Sequence, residues 1–288
     1  SKELTIGGQA VIEGVMMRGR QNAAIAMRTP EGEIEIHTEE LGKIYQSKFM
    51  QIPFLRGLLG LWDALVLGMK ALTISANTQT GEDEPIEGPA LFFTFALSLV
   101  IAIGIFFLIP AGLGQFAENS FGWNAWASNL LEGLVRLVFL LAYMWGIGRM
   151  EDIKRVFSYH GAEHKVINAF EDNAELTPES VRPYSVEHPR CGTAFLLIVV
   201  VFSVVLFTAL GPLSLAWRLL SRILLLPVLA GFAYEYLRWT ANNQNHPIIR
   251  ILIKPNLALQ RLTTNEPSDE MLEVSIAAFN TMRAGEQE

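Results

Sequence analysis

The chain has 288 residues, 51% of them hydrophobic and only 18% charged, and a mean hydropathy of +0.30, more apolar than most soluble domains. A net charge of −7 and a pI of about 5.4 remove the basic excess of a nucleic-acid binder, so no nucleic-acid partner is expected. The single cysteine, Cys191, excludes an intrachain disulfide framework and suits a reducing compartment or a metal-ligand role.

The opening stretch "SKELTIGGQAVIEG" lacks the charged start, apolar run and small-residue cleavage site of a signal peptide, so insertion is expected to rely on internal segments. In "IGGQAVIEGVMMRGR" the glycines Gly7, Gly8, Gly14 and Gly19 fit the turns and bulges of a hairpin. No Gly-Lys-Ser/Thr follows, so this is no phosphate-binding loop of the P-loop type. Glu13 and Arg18 are candidates for a shared site. "AIAMRTPEGEIEIHTEEL" alternates, turns at Thr-Pro-Glu-Gly and alternates again, a second hairpin signal. Residues 1–52 are therefore expected to form a small cytoplasmic β-rich domain.

Residues 53–76 are strongly apolar, yet Arg56, Asp63 and Lys70 recur every seven residues on one face. That pattern predicts an amphipathic helix lying in the membrane interface. An acidic linker, 77–88, follows. Four apolar segments then approach the ~20 residues needed to cross a hydrocarbon core. They run from about Pro89 to Leu113, Leu130 to Ile147, Thr193 to Leu210 and Leu215 to Trp239. The second contains Glu132 and Arg136, four apart and able to pair; the fourth holds Arg218, Arg222, Pro227 and Glu235. Lysines and arginines number eight in residues 1–88, none in 114–129, six in 148–192 and five from Arg238 onward. Both termini and the middle loop are therefore expected in the cytoplasm. The expected fold is an α-helical multi-pass membrane protein. It has about four transmembrane helices, at 89–147 and 193–239, a cytoplasmic loop at 148–192 and a cytoplasmic tail at 240–288. An amphipathic helix in the tail should start near Pro267 or Ser268, with Ser268 as its N-cap.

The middle loop carries "YHGAEHK". On a continuous helix, His160 and His164 share one face, one turn apart, the arrangement that lets two imidazoles hold one ion. With Glu163 they make H-x-x-E-H, a pattern in which the carboxylate activates water. Gly161 warns of a break in that helix. The other reading is a pair of hydrogen-bonded, unmetallated histidines near lipid headgroups. "EHPRCG" adds His188 and Cys191 from the same loop, completing a His₃Cys set suited to tetrahedral zinc, with iron or another divalent transition metal also compatible. Glu235, about 30 Å along its span from Leu215, reaches the same inner side and is a candidate ligand or supporting group.

The blocks "GGQAVIEGVMMRG", "PFLRGLLGLWDALVLGMKAL", "YHGAEHKVINAFE", "HPRCGTAFLLIV", "LLPVLAGFAYEYLR" and "LQRLTTNEPSDEMLEVSIAA" resemble, in order and over nearly the whole chain, the bacterial YqhQ-like membrane protein family. The resemblance implies a protein of unknown function, described as a predicted metal-dependent enzyme, with His160, Glu163, His164, His188 and Cys191 standing in its motifs. Two functions are thus expected to compete. One is a zinc-dependent hydrolase at the inner face of the bacterial cytoplasmic membrane, with Glu163 as general base. The other is a membrane scaffold or partner-binding protein with a structural metal, its partners being the bilayer and another protein or a second copy. A transporter is the weaker third, since Glu132, Arg136 and Pro227 are its main signs.

Overall fold

The computed structural model describes residues 6–42, 52–80 and 89–286. Both alternating stretches form one antiparallel sheet, ordered β1 (Gly7–Val11), β2 (Gly14–Arg18), β3 (Asn22–Arg28) and β4 (Ile34–Glu40). Val11 pairs with Gly14 across a two-residue turn, where Glu13 takes φ +53°, and Arg28 pairs with Ile34 across the Thr-Pro-Glu-Gly turn. Strands bury side chains alternately on their two faces. Val15, Met17, Ala24 and Ala26 face a helical layer of α5 (Glu151–Glu171) and α12 (Asp269–Gly285). Met16, Ala23, Ile25 and Met27 face α1 (Leu55–Thr80) at Leu67 and Ala71. Coverage on both sides explains why β2 and β3 read as nearly unbroken apolar runs.

The three charges of α1 all turn toward protein. Arg18 of β2 pairs with Asp63 at 2.7 Å, Glu39 of β4 with Lys70 at 2.7 Å, and Arg56 with Glu235 of α9 (Leu226–Asn242). Its opposite face leaves Trp62, Leu65 and Val66 exposed. Of the expected acidic linker, residues 77–80 belong to α1 and 81–88 lie outside the described residues.

Among the described residues, three helices are long and apolar enough to cross a membrane: Leu55–Thr80, Phe92–Phe121 and Ala125–Ile147. The second is α2 (Pro89–Ile103), a π-helical turn (Gly104–Leu108) and α3 (Ile109–Phe121); the third is α4 (Ala125–Ile147). Helix α7 (Thr193–Ala209) is apolar but shorter. The expected fourth span is not straight: α8 (Leu215–Leu224) and α9 meet at 45° around Leu225. Pro227 is the cause, because it has no N–H to give and its ring excludes the carbonyl four residues back.

Polar groups inside this apolar layer are gathered together. Glu132 and Arg136 pair at 2.7 Å, as their spacing predicts. Arg222 adds bonds to Glu132 at 2.9 and 2.6 Å and to Asn129 at 2.8 Å, while Arg218 reaches Asn129 at 3.0 Å and Glu118 at 2.8 Å. Arg136 also donates to the Phe106 carbonyl at 2.7 Å, within the π-helical turn. Four charged side chains are thereby almost wholly withdrawn from solvent: Glu132, Arg136, Arg218 and Arg222. Beyond α9 the chain makes α10 (Pro247–Leu252) and α11 (Lys254–Gln260), then α12, capped by Ser268 as expected, whose Oγ accepts from Met271 N at 3.4 Å.

Candidate metal centre

Helix α5 runs unbroken through Gly161, so the loop expected at 148–192 is largely helical at its start. The glycine serves close packing. A Cβ there would collide with the Asn265 carbonyl, and Asn265 N donates to Phe157 O at 3.0 Å, holding the crossing chain against the helix. Continuity puts His160 and His164 side by side, with ring centroids 4.3 Å apart.

Each histidine hands Nδ1 to a backbone carbonyl, His160 to Thr263 at 2.9 Å and His164 to Val186 at 2.6 Å. A carbonyl can only accept, so Nδ1 carries the proton and a neutral ring keeps its lone pair on Nε2. Such a second partner is what orients histidines that bind metals. His160 Nε2 lies 3.2 Å from Cys191 Sγ, and one ligand atom each from His160, His164 and Cys191 fall within 4.8 Å of one another. Bonds of about 2.0–2.3 Å to a tetrahedral ion separate ligand atoms by about 3.3–3.7 Å, so a gap of 4.8 Å would have to close by about 1 Å to hold one. Cys191 is buried just before α7, where Thr193 N donates to its sulfur at 3.4 Å.

The segment carrying Val186, His188 and Cys191 is tied down by side chains that the sequence reading passed over. Lys165 Nζ, itself buried, donates to the carbonyls of Arg182 and Tyr184, both at 2.7 Å, and meets Glu266 at 2.9 Å. Asn168 donates to Ser185 O at 2.9 Å and Glu187 O at 3.1 Å. Gln260 of α11 accepts from His188 N and donates to His188 O, both at 2.9 Å. Lys165 and Asn168 stand inside the same stretch as the two histidines, one and four residues after His164. That placement on the loop-facing side of α5 was the available signal.

Glu163 is 4% exposed, and its Oε2 has no hydrogen-bond partner among the described residues. Burial raises its pKa to about 7, with nearby His160 opposing the shift. Strand β1 passes directly over the carboxylate: a Cβ on Gly8 would sit 2.6 Å from Glu163 Oε1. An uncompensated buried carboxyl group poised near neutrality is what a general base requires.

The remaining candidates go elsewhere. His188 is buried beside the group, its ring 5.7 Å from that of His164, but its Nε2 faces Glu171 Oε2 at 3.6 Å; burial lowers its pKa. Glu235 is held by Arg56 and by Phe54 N at 3.2 Å, away from the histidines. Glu13 pairs with Arg155 of α5 at 2.5 Å and approaches the Tyr159 hydroxyl at 3.4 Å. Arg18, at the other end of β2, turns to α1, so the structure brings Glu13 and Arg18 to different partners on different faces of the sheet.

A family model described as "Protein of unknown function (DUF1385)" matches residues 52–284. The chain is 35% identical to "Uncharacterized protein YqhQ" of Bacillus subtilis (strain 168), over 96% of this chain and 91% of that protein. No solved structure matches.

Proposed function

The chain belongs to the family described as protein of unknown function (DUF1385), a description that assigns no chemistry, and from the side-chain geometry we propose that it is a membrane-bound metal-dependent hydrolase. His160, His164 and Cys191 would hold a divalent transition metal, zinc fitting a nitrogen and sulfur donor set best. The observation that carries this reading is the pair of Nδ1 bonds to carbonyls, which leaves a lone pair on each Nε2, with that of His160 3.2 Å from the buried thiol. Three protein donors are the complement of a catalytic site, where a fourth position stays open. A bound divalent ion supplies Lewis acidity there. Glu163 would take a proton from the attacking water, and the clamps at Lys165, Asn168 and Gln260 would keep the ligands in place.

The location we propose is the cytoplasmic face of a bacterial inner membrane, with four spans and both termini inside, because lysine and arginine crowd the segments on that side. Helix α1 is long enough to span, yet the sheet packs along it at Leu67 and Ala71, and Ile12 N donates to its Ser75 at 3.2 Å. Were α1 to cross the bilayer, edge strands would enter hydrocarbon with backbone groups unpaired. That supports α1 lying in the interface, its Trp62 face on the lipid.

Elemental analysis of purified protein tests the metal. About one equivalent is expected in the wild type, with most of it lost in His160→Ala and Cys191→Ser and retained in Glu163→Gln. Equal metal in wild type and both ligand variants would end the proposal. A structural, four-ligand site has one observation in its favour, the buried His188 ring beside His164. It requires His188 to leave Glu171, so loss of metal in His188→Ala on the scale of His160→Ala would favour that reading.

A further inference from the structure

A cavity of about 710 Å³, within the range of small-molecule sites, opens between the sheet edge, α1 and Tyr234 of α9. Arg18, Arg20 and Arg190 are among its lining residues, which include no Asp or Glu. Arg18 pairs with Asp63 and Arg190 with Glu171, while Arg190 Nε is buried with no hydrogen-bond partner among the described residues. Gly7 and Gly8 contribute bare backbone. β1 is an edge strand, so part of its N–H row points away from the sheet. The candidate metal centre is nearby: Gly8, which lines the cavity, also lies against Glu163, and Arg190 directly precedes Cys191. On its other side α1 turns the apolar face of Trp62, Leu65 and Val66 outward.

From this placement we infer that the cavity binds a phosphate-bearing anion, delivered as a lipid headgroup from the membrane face or as free phosphate. Guanidinium forks match phosphate oxygens bidentately, and glycine backbone lets an anion approach N–H groups closely. Only the assignment of a phosphoester headgroup bound here as the substrate, with free phosphate as a product, rests on the metal reading given above; the binding site stands on its own residues.

The test uses the full chain in a nonionic detergent, titrated with dihexanoyl phosphatidic acid, with dihexanoyl glycerol as the uncharged control, and with inorganic phosphate. Metal content is measured in parallel. Phosphatidic acid is expected to bind at least tenfold more tightly than the glycerol. Arg20→Ala and Arg190→Ala are each expected to weaken it about tenfold. Gly7→Asp provides a variant that leaves packing alone, because a Cβ at Gly7 meets nothing within 4 Å. Its added negative charge should remove binding while metal content is unchanged. A lipid affinity above that of inorganic phosphate assigns the headgroup; equal affinities assign free phosphate. Absence of binding by both, or binding that is the same in wild type and Gly7→Asp, overturns the inference. Phosphate binding that persists in His160→Ala while metal is lost separates the two claims, and a wild type without metal that still binds phosphate would remove the substrate assignment alone.

Discussion

At the scale of single residues, the candidate site depends on groups whose importance lies in where they sit. Gly161 is in mid-helix, where alanine would ordinarily gain about 1 kcal/mol. Here the Cβ would strike the Asn265 carbonyl, so Gly161→Ala is expected to lower stability by about 1–3 kcal/mol, measured by thermal unfolding in detergent. Glu163→Gln should hold its metal yet lose about 10²–10⁴-fold of any hydrolytic rate toward a generic phosphate or carboxylate ester, the contribution typical of a positioned base. Gln260→Leu would leave the N–H of His188 without a partner in a buried setting and its C=O with the Cys191 N–H alone, and a loss of about 1–3 kcal/mol in chemical denaturation is expected. The spacing of His160 and His164 was legible in the sequence because helix periodicity is a local rule. Their two acceptors were not: a carbonyl oxygen belongs to every residue, and nothing in Thr263 or Val186 as a residue type marks that oxygen as the one used.

Elements show the same division between local and distant information. The turn of the β3–β4 hairpin, the Ser268 cap and the pairing of Glu132 with Arg136 could all be read from neighbours a few positions apart. The union of α4 with α8 could not, since Arg218 and Arg222 reach Asn129 and Glu132 across roughly ninety residues of chain. Nor could α12 be assigned to the sheet, because amphipathic periodicity gives a buried face without naming what it is buried against. The α4–α8 union carries its own prediction. Glu132 accepts from Arg136 and Arg222, so Glu132→Gln would strand two buried guanidinium groups at a cost of about 3–5 kcal/mol. Thermal melting should show a large destabilisation, and the double variant Glu132→Leu with Arg222→Leu should be less destabilised than the sum of its parts.

For the whole molecule, the proposed arrangement makes the turn at Gly122 and the end of α5 at Asn173 face opposite sides of the membrane. Both positions have positive φ and lie at exposed sites between helices. Cys191 is buried, so cysteines introduced at Trp123, beside the first turn, and at Asp172, beside the second, can be compared directly in a Cys191→Ser background. An impermeant maleimide added to intact cells should label the first and reach the second only after permeabilisation; equal labelling of both in intact cells would refute the topology.

The carbonyl that fixes His160 and the amide that clamps His188 come from Thr263 and Gln260, about a hundred residues later in the chain than the histidine pair. Translation at about 5–20 residues per second leaves an interval of roughly 5–20 s in which His160 has been made and the carbonyl that orients it has not. The donor group is therefore completed only once Thr263 has been made, about a hundred residues after the histidine pair. A nascent chain halted before Gln260 would carry its apolar helices, both imidazoles and the Val186 acceptor of His164, yet lack the carbonyl that orients His160 and the amide that clamps His188.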